Sequence, residues 1–270
     1  MPRHKLSAKS LFSELWQVQC EQIISCGNLV QSEDENVEKV HQYRIAIRKA
    51  RSLLVFMKPL LKVAFFNQVN DQLKEFANHF SKVREWDVLL EYYRENYLKQ
   101  TDENSLLTAF LMTEQTKYRM DAYATYDTQF IETTIQIFLK DIEVNGFKHK
   151  VKDVSCVPFV KKRAKNLRKM IEQKEKRLKS NDLKGIHSYR IANKRLRYAL
   201  ELLNPVFEEV FDKRIKRLKA KTDQLGSRCD LYVMYEDLSA LNVQHNEKMS
   251  SLNDFLMFIS TEMTKNEAKG

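Results

Sequence analysis

The stretch HQYRIAIRKARS, residues 41–52, returns as HSYRIANKRLRY at residues 187–198, a constant offset of 146 residues. His, Tyr, Arg, Ile, Ala and a later Arg are identical, Arg48 corresponds to Lys194 and Lys49 to Arg195, and the register holds to Pro59 and Pro205. A recurrence of this length points to an internal duplication. Neither copy can be a strand, because its apolar residues do not alternate but recur at three and four residues. At about 100° per residue on an α-helix, His41, Arg44, Arg48 and Arg51 fall within an arc of roughly 80°. Tyr43, Ile47, Ala50, Leu53, Leu54, Met57 and, beyond them, Leu61 occupy the adjoining arc. The basic stripe therefore borders the core-facing side instead of opposing it. The second copy repeats both arcs with His187, Arg190, Lys194 and Arg197.

A border position gives the stripe its chemistry. Guanidinium stems pack on the core edge while their heads lose part of their water, and like charges crowded there repel. An anion with closely spaced oxygens relieves that repulsion through charge-assisted, often bidentate hydrogen bonds. Four such side chains span ten residues, about 15 Å of helix axis, which suits a chain of phosphates better than a single one. None of the eight stripe positions is a carboxylate, whereas an ordinary solvated helix face mixes signs at i,i+4 spacing. The alternative is a solvated face conserved by old duplication and neutralised by Glu201 and other carboxylates. Beside neighbouring cations, His41 and His187 are expected to be neutral in the free protein and to gain a proton when a polyanion arrives.

The rest of the chain supports an all-α reading. Gly (5) and Pro (4) are scarce in 270 residues, and hydrophobic residues make up 43%, enough to bury a core. Helical spacing recurs at Leu11, Leu15, Val18 and Ile23, and again at Phe65, Val69, Leu73, Phe76 and Phe80. Breaks are expected near residues 27–33, at Lys58-Pro59, near 101–104, at Asn145-Gly146, at Val157-Pro158, at Gly185, at Asn204-Pro205 and near Gly226, which gives eight to ten helices and a frayed end from Lys265. The turn-rich stretch 145–158 marks the boundary between a half 1–147 and a half 148–270.

No apolar run is long enough to span a membrane and no signal-peptide block precedes the first helix, so a cytoplasmic protein is expected. Cys20, Cys26, Cys156 and Cys229 lack metal-ligand spacing and are expected as free thiols. The net charge of +10 is uneven: residues 157–222 hold 21 Lys/Arg and 7 Asp/Glu, leaving −4 for the remainder. Within that window Lys161, Lys165 and Arg168 share one helix face, and Lys213, Arg217 and Lys221 another. Each set either extends the lining of an anion site or is a solvated face; Lys174, Lys176 and Lys179 read as surface. Tyr43 and Tyr189 read as core. Asp87 and Asp230 either hold an arginine of the stripe or cap a helix. No nucleophile with its base, metal-binding carboxylate set, H-E-x-x-H or glycine-rich phosphate loop is present, so no cofactor, no metal and no catalytic residue is assigned, and a non-enzyme is expected.

H-x-x-R-[IV]-A-x-[RK]-x-x-R, occurring twice in a helical chain, resembles the CHAD family, named for a conserved-histidine α-helical domain. The resemblance spans nearly the whole chain and continues weakly after each motif. There the family tends to read L-G-x-x-R-D-L-D-V-L, and this chain has Ser81 to Leu89 in one copy and Leu225 to Leu231 in the other. Ser81 stands for the glycine, Glu85-Trp86 for Asp-Leu, and Lys194 where the first copy has Arg48. The resemblance implies two pseudo-symmetric four-helix-type bundles around a basic central cavity that binds inorganic polyphosphate. It places His41, Arg44, Arg48, Arg51, His187, Arg190, Lys194 and Arg197 in that site, with Lys49 and Arg195, about 80° from the histidine direction, less central. Relatives often carry a triphosphate-tunnel domain marked by E-x-E-x-K; the nearest string, Glu33-Asp34-Glu35-Asn36-Val37, lacks the lysine, so a binding module alone is expected, with polyphosphate granules as one place of association. A nucleic-acid partner is the runner-up reading, and a phosphoanhydride hydrolase using His41 or His187 the third. Neither a helix-turn-helix nor an aromatic-interleaved stripe is there to support nucleic acid. Oligomeric state is not legible.

Overall fold

The computed structural model describes residues 6–31, 37–101, 105–148, 154–178, 182–244 and 249–268. The Glu33–Asn36 string, Lys179 and part of the 145–158 boundary lie outside these. The described residues form ten α-helices: α1 (Ala8–Val30), α2 (Val37–Met57), α3 (Val63–His79), α4 (Ser81–Tyr92), α5 (Ser105–Ala124), α6 (Thr128–Asp141), α7 (Cys156–Glu175), α8 (Leu183–Leu203), α9 (Asp212–Gln244) and α10 (Ser250–Ala268). No strand occurs among them, only isolated antiparallel bridges at Ser7 with Ser155 and Leu61 with Phe147. No described helix is long and apolar enough to cross a membrane.

Several breaks fall where the turn residues predict them, and for the predicted reasons. Pro59 and Pro205 each sit in a 3-10 turn that ends a motif helix, because proline removes a helical donor and clashes with the preceding turn. Gly185 marks a start and not an end: its N–H donates to Oδ1 of Asp182 at 2.8 Å, capping the first turn of α8. The break expected near residues 27–33 falls in that range, where α1 ends at Val30, with Gly27 itself still helical. The break expected near Gly226 is absent: Gly226 lies inside α9, where a glycine costs only about 1 kcal/mol and a long amphipathic helix outweighs it. The C-terminal helix likewise continues to Ala268, through residues expected to fray.

The chain forms two compact units. The first takes residues 1–79, 127–178 and 188–222, and the second residues 80–126, 179–187 and 223–270. Division by contact thus differs from division by repeated sequence, since each unit takes chain from both sides of residue 147. In the first unit α1 packs along α2 and also against α6 and α7, and α2 packs on α3. The buried face of α1 runs through Leu11, Phe12, Trp16, Cys20, Ile23 and Val30. The aromatic residues take the core side, leaving Val18 of the expected stripe 52% exposed. The apolar arc of α2, from Tyr43 to Leu54 and Met57, is buried as its periodicity predicts. In the second unit Trp86, Leu89, Leu90 and Tyr93 join Leu107, Leu111, Leu231, Leu238, Leu252 and Phe255 in one core.

Candidate anion site

The first motif stripe lies on α2. Arg44 is its most buried member, at 6% exposure, and its Nη1 donates to the carbonyl of Ala77, in the last turn of α3. A cation there complements the negative end of that helix. Arg44 is therefore a structural anchor as well as a charge. His41, Arg48, Lys49 and Arg51 are half-buried along the same helix. Arg51 donates from Nε and Nη2 to Oδ1 of Asn70, both at 3.4 Å. Its pKa is lowered to about 10, first by burial, then by the charges of Arg195 and Arg48, with Asp71 opposing them.

The second stripe lies on α8. Arg190, Lys194 and Arg197 are half-buried and His187 is exposed. Arg197 pairs with Glu201 at 3.5 Å and lies 4.7 Å from the centroid of the Tyr198 ring, so the carboxylate suspected from sequence does neutralise one stripe position. Arg195, rated peripheral on angle, is the second-copy residue whose charge bears on Arg51. Its own pKa is lowered by burial, although by surface area the residue is exposed. Ser52, Val55 and Phe56 of α2 share a small apolar cavity of about 150 Å³ with Leu167, Met170, Ile171 and Lys174 of α7 and Ala192, Arg195 and Leu196 of α8. The C-terminal part of α2 and the middle of α8 thus line one cavity inside the first unit.

A second, larger cavity in the same unit, of about 790 Å³, gathers the basic residues of α7 and α9. Lys161, Lys165 and Arg168 line one wall, and Lys213, Arg214, Arg217 and Lys221 another, while Tyr189, Asn193 and Leu196 of α8 contribute to the lining. The six groove cations named from sequence are brought together, and Arg214 joins them; its three-residue spacing to Arg217 was the available signal. Two carboxylates enter the groove as well, Glu172 and Glu175. Arg168 pairs with Glu172 at 3.3 Å and Lys221 with Glu175 at 3.4 Å. Tyr189 is core-buried as expected, at 3% exposure. Burial and a hydrogen bond to Glu175 push its hydroxyl pKa up, so it stays protonated and donates. On α8 the centre of the groove-facing residues lies about 115° from the centre of the His/Arg/Lys stripe. Neither cavity is lined by His41, Arg44, Arg48, Arg190, Lys194 or Arg197.

The remaining sequence candidates fall elsewhere. Asp87 is buried in the second unit, where Oδ1 accepts from Nη2 of Arg119 and Nε2 of Gln115, each at 2.8 Å. It holds no stripe arginine and caps no helix, since α4 runs through it. Asp230 lies within α9 and caps none either. Sequence reading missed Arg119, whose one buried face on an otherwise mixed helix gives no periodic signal, and also missed Arg163. Arg163 donates from Nε to the carbonyl of Phe56 at 2.8 Å and from Nη2 to that of Val55 at 3.0 Å, closing the C-terminus of α2 from α7. The four cysteines are buried and make no disulfide. Among the described residues no group of three or more His, Cys, Asp or Glu is arranged to hold a metal.

The described residues are helical, and the duplicated basic motif lies on two of their helices, α2 and α8. The chain belongs to the CHAD family: the CHAD domain model matches residues 16–239. Its fold is similar to the crystal structure of the CHAD domain from the plant Ricinus communis, with a TM-score of 0.77 and 22% identity, covering 97% of this chain and 88% of that one. It is also similar to PptA from Streptomyces chartreusis, with a TM-score of 0.66 and 15% identity, covering 96% and 99%. At these identities the likeness is one of fold. No curated protein matches the chain.

Proposed function

We propose that this protein binds inorganic polyphosphate and is a binding module, not an enzyme. The stripe residues His41, Arg44, Arg48 and Arg51 with His187, Arg190, Lys194 and Arg197 contact the polymer, and Lys49 and Arg195 flank them. The halves 1–147 and 148–270 descend in this reading from one duplicated bundle, arranged around a basic central cavity. A cytoplasmic protein able to associate with polyphosphate granules is the corresponding location.

The observation that carries the proposal is the state of Arg51, a guanidinium crowded by Arg195 and Arg48 and stripped of part of its water, so that its pKa falls to about 10. At neutral pH it is still charged, and the folded chain bears the cost of that crowding. A polyanion laid along the stripes would remove the repulsion and supply charge-assisted hydrogen bonds where water is thin.

Calorimetric titration with phosphate chains of increasing length tests this. Affinity should rise with chain length and fall with salt, since exposed charges are screened over about 8 Å at physiological ionic strength. Arg48→Glu combined with Lys194→Glu should weaken long-chain binding at least tenfold with helicity unchanged. Equal binding of orthophosphate and long chains, or long-chain binding untouched by the double variant, would overturn the reading. Competition by single- or double-stranded nucleic acid at lower concentration than polyphosphate would favour the nucleic-acid alternative.

A further inference from the structure

We propose that the groove between α7, α8 and α9 is a second anion site, separate from the stripes, which takes a short, multiply charged phosphate chain of the tripolyphosphate kind. The groove has seven cations and two carboxylates in its lining, an excess of five positive charges within one cavity. The cations stand on two walls. Lys161 to Arg168 covers seven residues and Lys213 to Lys221 eight, so each row is about 10–12 Å long. Two short rows flanking a cavity can grip an anion from both sides, which a single solvated helix face cannot do.

The lining also selects the chemistry of the anion. Tyr189 and Phe211, the aromatic residues of the groove, are only 3% and 6% exposed, so no ring face is open to stack a base. Nothing in the groove rewards a nucleoside, and the cations reward phosphate. The centre of the stripe on α8 lies about 115° around the helix from the centre of the groove residues, so the two rows present different directions on that helix.

Glu172 and Glu175 act as displaceable internal occupants. Their pairs with Arg168 and Lys221 leave all four side chains 40–52% exposed, and exposed pairs of this kind are worth little. An incoming phosphate replaces the carboxylates at small cost, and Tyr189, whose hydroxyl is held by Glu175, turns that hydroxyl to the ligand.

The test is titration of the full chain with tripolyphosphate, ATP and long-chain polyphosphate at low salt. Lys165→Glu with Arg217→Glu, both at exposed positions, should weaken tripolyphosphate at least tenfold while circular dichroism stays unchanged. Glu175→Gln should tighten it several-fold, a gain that a purely solubilising surface would not give. ATP should bind no more tightly than tripolyphosphate. The stripe variant Arg48→Glu with Lys194→Glu should leave tripolyphosphate binding in place, so that failure of the polyphosphate proposal above is read separately from failure of this one. Undetectable tripolyphosphate binding, wild-type affinity in the groove variant, or loss only in the stripe variant would each overturn the second site.

Discussion

The helices that precede the two motifs, α1 and α7, differ in how much of their surface they bury and in the chemistry of the rest. Ten of the 23 residues of α1 are buried, among them Phe12, Trp16 and Ile23, and the helix seals the side of α2 against which it packs. Only four of the 20 residues of α7 are buried, and its exposed side carries Lys161, Lys165 and Arg168. At the motif offset of 146 residues, those three positions correspond to Leu15, Gln19 and Gln22, while Lys213, Arg217 and Lys221 correspond to Asn67, Asp71 and Glu75. The first half places neutral and acidic side chains around its motif helix, and Asp71 is the group that supports the charge of Arg51. The second half places cations there and leaves a groove open. A repeated motif therefore does not mean a repeated site: the residues around each copy decide whether its helix is sealed or accessible.

Stability measurements can break this contrast most sharply. Trp16→Ala removes a fully buried indole from α1 and is expected to cost about 3–5 kcal/mol through lost burial and the cavity left behind. Lys165→Ala on α7 should change stability by no more than about 0.5 kcal/mol, as exposed positions do. Urea unfolding of both variants against wild type reads the difference. Comparable losses would show that α7 is as tightly integrated as α1 and would remove the basis for an open groove.

The motif helices themselves offer a narrower contrast. Arg44 and Arg190 are equivalent in sequence, but Arg44 is buried on the carbonyl of Ala77 while Arg190 is half-buried. Arg44→Ala removes the charged donor to that carbonyl and should cost about 1.5–3 kcal/mol, the range for a hydrogen bond with a charged partner. Arg190→Ala should cost less than half as much. Thermal unfolding at fixed pH separates the two, and an equal fall in Tm would restore the symmetry that the sequence suggests.

Most of the helical architecture was legible because three- and four-residue spacing is set by burial, and α2 with its apolar arc buries the residues that the periodicity names. The two prolines were legible because they act locally. Gly226 misled because a lone glycine is weak against the burial of a long helix. The stripes were visible as an angular pattern, but the role of Arg44 was not, since its partner lies 33 residues away in another helix. Arg119 and Arg163 left no periodic trace at all, for the same reason: a buried arginine answers to a distant acceptor, which spacing along one helix does not encode. The groove was half legible, its two rows being evident separately, while their convergence depends on how α7, α8 and α9 pack.

The smallest expected effect concerns protons, and it tests whether the two motif helices act on one ligand. Arg51 is a base whose folded pKa, about 10, lies below its ordinary value. Between these values the unfolded chain holds the proton more firmly than the folded one. The penalty on the folded state is thus fully present below about pH 10 and fades as pH rises toward the ordinary arginine value. A polyanion that relieves the crowding raises the Arg51 pKa, so binding near pH 10 should take up as much as about half a proton at this residue, and almost none at pH 7.5. Calorimetric titration with long-chain polyphosphate in two buffers of different ionisation enthalpy measures that uptake. Arg51→Gln should remove its share at pH 10, which separates it from lysines titrating nearby. Arg195→Gln should shrink the share without removing it, because Arg195 follows burial as the larger of the two repelling charges. An uptake unchanged by Arg195→Gln would mean that the second motif exerts no pull on the ligand held by the first.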